Sequence, residues 1–145
     1  MVLDRLRSEI RGAGIQLYVQ RKPRAEMNPA YHATGGSFKI GFMPKSAFIS
    51  CVLVDDWPGD EAVHAKFVCL ALAHELGHYI HHYSDQLPCY TKDMLANPVW
   101  KFYVMKCEHR AWVHAYALLK SMGWTDWGMF NRVAEHCLDS YRRHE

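Results

Sequence analysis

The 145-residue sequence predicts an α+β fold in the order helix, about three strands, then three helices. Three observations carry that prediction. Apolar and polar residues alternate in the first half of the chain, which is the period of a strand. From Glu61 onward, long stretches nearly free of Gly and Pro are too long to be strands. The two kinds of segment are grouped rather than interleaved, which argues against a parallel α/β fold. The length is that of one domain, so residues 1–145 are expected to form one.

Each element has a local reason. Leu3, Leu6 and Ile10 fall at helical spacing, and Gly12 and Gly14 end the pattern. Ile15 to Gln20 alternates as a half-buried strand does. Pro23, Pro29, Gly35 and Gly36 mark residues 21–36 as an irregular loop. Phe38, Ile40 and Phe42 alternate again until Pro44, and Phe48 to Val54 is a denser, β-branched run suited to a buried strand. Residues 55–60 form a turn, with Asp60 placed to cap the helix that runs from Glu61 to about Tyr83. Phe67 to Ala73 is apolar on every side, as in a helix at the middle of a domain. A loop around Pro88 leads to about Pro98, and a second long helix runs from about Val99 to Ser121, stopped by Gly123. Thr125 or Asp126 caps a last helix whose stripe is Phe130, Val133, Ala134, Cys137, Leu138 and Tyr141.

Composition narrows the class. Half the residues are hydrophobic and 22% are charged, which excludes disordered and collagen-like chains. The net charge is +2 and no basic run is long, so a nucleic-acid partner is not expected. No apolar stretch reaches the roughly 18 residues of a membrane span, and Met1 to Arg7 is charged and amphipathic without a signal-like apolar block. Cys51, Cys69, Cys89, Cys107 and Cys137 are odd in number and lack C-x-x-C spacing. They read as packing thiols in a reducing compartment, so a cytoplasmic location is expected. The unusual feature is histidine, at ten copies.

The chemistry concentrates in His74-Glu75-Leu76-Gly77-His78, an H-E-x-x-H motif inside the apolar helix. Helical residues four apart differ by about 40° in direction and about 6 Å in rise, so both imidazoles can reach one ion. Zinc takes imidazole nitrogen, and catalytic zinc takes three protein ligands plus water. Glu75 points about 100° away from His74, beside the water rather than on the metal, where it can serve as general base. Ionisable groups in an apolar helix cost several kcal/mol without partners, and a metal removes that conflict.

The third ligand must come from elsewhere. His82 lies about 12 Å along the axis from His74, and the extended H-E-x-x-H-x-x-G-x-x-H pattern fails because positions 81 and 84 are His and Ser. In the helix from 99 to 121, Glu108 interrupts the stripe Val104/Met105, Ala111/Trp112, Ala115 and Leu118/Leu119. A lone carboxylate in a buried stripe demands a partner. An ion held by His74 and His78 supplies one; Arg110 or Lys101 at a surface is the competing partner. Ala111 and Ala115 would let this helix approach the first closely. His81 and His82 read as supporting or rim residues. Tyr79, Tyr83, His109, His114 and Tyr116 are candidates to stabilise an oxyanion, and spacing does not choose among them. Asp85 and Asp93 read as loop residues.

Leu72-Ala73-His74-Glu75-Leu76-Gly77-His78-Tyr79-Ile80-His81-His82 closely resembles the active helix of the ImmA/IrrE family of zinc metallopeptidases. Glu108-x-x-Ala111-x-x-x-Ala115-x-x-Leu118 resembles that family's second signature. The resemblance covers roughly residues 38–120. It implies a minimal zincin-like, gluzincin-type fold with His74, His78 and Glu108 as zinc ligands and Glu75 as catalytic acid/base. One departure stands out: members often carry an Arg-Phe pair where this chain has Cys69 and Leu70. The better-understood members resemble site-specific proteases acting on phage, mobile-element or stress repressors. The resemblance therefore implies a protein or peptide substrate, held extended along a strand. The rival expectation is a zinc-stabilised binding module without catalysis, in which a fourth protein ligand such as His81 or His109 would close the metal site.

Overall fold

The computed structural model describes residues 1–27, 36–43, 46–54, 60–84 and 92–142. Among these residues, four α-helices and a small sheet make it α+β: α1 Val2–Gly12, β1 Gln16–Lys22, β2 Gly36–Met43, β3 Ser46–Val54, α2 Glu61–Tyr79, α3 Pro98–Ser121 and α4 Trp127–Arg142. Among the described residues no helix is long and apolar enough to cross a membrane. The chain groups into two compact units, Met1–Glu75 and Leu76–Glu145. The division falls inside α2, directly after the Glu of the H-E-x-x-H motif.

In the first unit, α1 buries Leu6 and Ile10 completely. Its end is set by Gly14, at φ 75°, a left-handed conformation that glycine adopts without a Cβ penalty. The chain then enters a three-stranded sheet of order β1-β3-β2. β3 is central, parallel to β1 with Gln16 opposite Phe48, and antiparallel to β2 with Met43 opposite Ser46. Alternation in β3 puts Ala47, Ile49, Cys51 and Leu53 in the interior, while Phe48, Ser50 and Val52 are half-buried.

The half-buried reading of the first strand needs correction. Ile15, just before β1, is buried, but within the strand Val19 is 50% exposed and Tyr18 55%. The sheet order explains it. β1 is an edge strand, and a three-stranded sheet has little cover to offer its edges.

Helix α2 begins where the sequence placed it. The Ala62 backbone N–H donates to Asp60 Oδ1 at 2.8 Å, satisfying one of the helix's first free donors. Of the apolar run Phe67 to Ala73, Val68, Cys69, Leu70, Leu72 and Ala73 are buried, while Phe67 and Ala71 are half-buried, so the run is not covered on every side. The helix does not continue unchanged to Tyr83. After Tyr79 it widens into a π-helical turn, Ile80–Ser84.

The second unit is helical. Asn97 caps α3 by accepting the Val99 backbone N–H at 3.0 Å, and Pro98 occupies the first turn, where no N–H is missed. Val104, Cys107, Glu108, Ala111, Trp112, Ala115 and Leu119 form its buried face. Gly123, at φ 86°, turns the chain out of it. Of the two candidate caps for α4, Asp126 acts: its Oδ1 accepts the Met129 backbone N–H at 3.1 Å. Phe130, Ala134 and Leu138 are buried, while Val133, Cys137 and Tyr141 are half-buried. Trp112 meets Phe130 edge-on, with ring centroids 5.5 Å apart, which ties α3 to α4.

Candidate metal centre

Helix geometry places the first two candidate ligands. His74 and His78 are one turn apart on the unbroken α2. His78 is buried, and His74 is half-buried. Glu108 enters from α3 and is 2% exposed. Its Oε1 lies 3.2 Å from His78 Nε2. One ligand atom from each of His74, His78 and Glu108 falls within 4.8 Å of the other two. The three residues picked by spacing and by the polar break in an apolar stripe therefore come together, and they could bind a metal ion. The surface pairing of Glu108 with Arg110 or Lys101 gives way to an interior one.

Glu75 is 8% exposed, and its Oε1 lies 3.3 Å from His74 Nδ1. It stands beside the donor group without being one of its three members. Its position one residue after His74 gives it a different direction from the helix, and contact with the imidazole keeps it near.

No protein-family model, curated protein or solved structure matches the chain.

The centre depends on a residue whose role the sequence left unassigned. Gly77 sits between the two ends of the motif, and a Cβ built on it would lie 2.2 Å from the backbone oxygen of Ala111. The end of α2 and the middle of α3 are thus in main-chain contact, and only glycine fits. A signal was present, since an isolated Gly inside a helix costs about 1 kcal/mol relative to Ala and so implies a packing reason. The small residues expected at the approach were Ala111 and Ala115. Ala111 is the one shown in contact, and through its carbonyl rather than its methyl group.

The other candidates separate by burial. His81 and His82 are 3% and 4% exposed, so neither is a rim residue. His82 stacks on His78, and His81 meets His82 edge-on. His109 is exposed, and so is Tyr116, which packs against Trp127 and Phe130. Tyr79 and His114 are half-buried. Asp93 is exposed in the short helix Lys92–Ala96. Asp85 and the Tyr83 side chain lie outside the described residues, as does Cys89. Cys51, Cys69 and Cys107 are buried and Cys137 is half-buried, and none of these four is in a disulfide. Burial pushes the Cys51 and Cys69 thiols up from the ordinary 9.0, with nearby charges such as Arg7 only partly opposing it.

Proposed function

We propose that the chain is a zinc-dependent metallopeptidase of the ImmA/IrrE type, with a zincin-like fold, that cleaves a peptide bond in a specific protein substrate. The observation that carries this reading is the convergence of His74, His78 and Glu108 with Glu75 alongside. Two imidazoles and a glutamate are an established catalytic zinc set, and among the described residues the group has three members, the number that leaves a position for water. Tetrahedral bonds of about 2.0–2.1 Å place ligand atoms about 3.3 Å apart, close to the 3.2 Å between His78 Nε2 and Glu108 Oε1. Zinc bound there would act as a Lewis acid toward the scissile carbonyl and lower the pKa of a water in the remaining position.

The protein's own groups supply the rest. Glu108 brings negative charge into an apolar interior, which favours a cation. Glu75 is the base: its carboxylate accepts a proton from the attacking water and delivers it to the leaving amine. Its contact with His74 holds it at the edge of the donor group, where a proton can be passed without the carboxylate entering the ligand set.

Elemental analysis should find one zinc per chain. Digestion of a peptide library, read by mass spectrometry, should yield new termini that vanish with chelator and in Glu75→Gln. That variant should keep its zinc. A chain that takes up no zinc refutes the metal reading; cleavage that persists unchanged in Glu75→Gln refutes the assigned base.

A further inference from the structure

His82 is buried where an apolar residue would be the cheaper choice. It lies in the π-helical turn that follows the motif, four residues after His78. The rings of His78 and His82 are nearly parallel, at 15°, with centroids 5.8 Å apart. His82 is itself backed by His81, edge-on at 5.0 Å and 68°. His81 in turn reaches the ring of His114 on α3, at 6.3 Å. A row of imidazoles thus links His78 through His82 and His81 to His114, on the helix that carries Glu108.

We infer that His82 is a positioning residue for His78: its ring covers one face of the His78 imidazole and fixes the direction in which that ring offers its nitrogen to the metal. Two facts distinguish this from a ligand role. His82 is outside the donor group formed by His74, His78 and Glu108. Its relation to His78 is ring beside ring, nearly parallel, which restricts rotation of the proposed ligand side chain. Residues that orient metal ligands commonly change affinity by about 10–100-fold when removed. His82 has a second ring neighbour in His81, which in turn lies near His114.

The inference rests on the zinc reading above, and zinc affinity of the full chain, measured by competition with a chromophoric chelator, tests both separably. His82→Ala should bind zinc about 10–100-fold more weakly. His82→Phe, which keeps a flat ring, should stay within about threefold of the unmodified chain. Cobalt(II) in place of zinc gives a visible band that reports ligand geometry; it should shift in His82→Ala and return in His82→Phe. A residue that merely fills space would lower the melting temperature of the metal-free chain and leave that band in place. If His82→Ala does not fold, His82→Leu replaces it with the same expectation. Unchanged affinity without the ring overturns the inference, and so does a His82→Phe chain as weak as His82→Ala. An unmodified chain that binds no zinc overturns the metallopeptidase reading along with it.

Discussion

Gly77 of α2 and Ala111 of α3 touch through their main chains: a Cβ on Gly77 would sit 2.2 Å from the Ala111 carbonyl oxygen. The next residue on α2 is the candidate ligand His78, and one turn before Ala111 on α3 is the candidate ligand Glu108. A main-chain contact of the two segments is therefore built beside a side-chain pair that lies 3.2 Å apart.

Replacing Gly77 by Ala tests that relationship with an unusual sign. In a free helix the change is favourable by about 1 kcal/mol. Here the methyl group has no room, and the helices must part. Overpacking of this kind costs about 1–3 kcal/mol. Urea denaturation should show Gly77→Ala to be less stable than the unmodified protein. A gain in stability would show that the two backbones are farther apart than described.

Metal binding should appear as stability. With free zinc at about one hundred times its dissociation constant, the folded chain gains about 2.7 kcal/mol, because the unfolded chain lacks the convergent site. Chelator should remove that gain. Glu108→Gln should abolish most of it by taking away the negative ligand at the buried end of the site. Equal zinc-dependent shifts in the melting temperature of Glu108→Gln and the unmodified protein would exclude Glu108 as a ligand.

Loss of the proposed base should affect rate and spare binding. Glu75→Gln keeps the size of the side chain and removes its ability to take a proton. Peptide cleavage should fall by about 10²–10⁴-fold, with zinc content unchanged. Because Glu75 contacts His74, both quantities must be measured on the same preparation. Loss of zinc in Glu75→Gln would mean that the carboxylate holds His74 in place rather than handling the proton.

The buried thiols give an alkaline signature. Burial raises Cys51 and Cys69 above 9.0 in the folded chain. Below that pH both states keep their protons and this contribution to stability is complete. As pH rises past 9.0 the unfolded thiols ionise first, the unfolded state gains, and stability falls until the folded pKa is passed. The urea midpoint should therefore drop between pH 8 and pH 10, and drop less in Cys51→Ala/Cys69→Ala. Identical pH dependence in the two proteins would show that these thiols are not shielded. At neutral pH the same shielding predicts slow alkylation in the native state and fast alkylation in urea.

The sequence by itself determined what is local. The four-residue spacing of His74 and His78 fixes their common face through the geometry of a single helix. Asp60 and Gly123 bound their helices because capping and left-handed φ are properties of one residue and its neighbours. Glu108 was legible because a charge in an apolar stripe is a conflict visible without a third dimension. Tertiary structure decided everything that depends on a second element. It put β1 at the edge of the sheet, and so left exposed the strand that alternation alone reads as half-buried. It chose His78 rather than Arg110 or Lys101 as the neighbour of Glu108, and gave Gly77 its purpose through a carbonyl 34 positions away. It buried His81 and His82 in a widened turn. Periodicity records which side of a rod is apolar; what lies against that side is set by distant contacts that no spacing along the chain encodes.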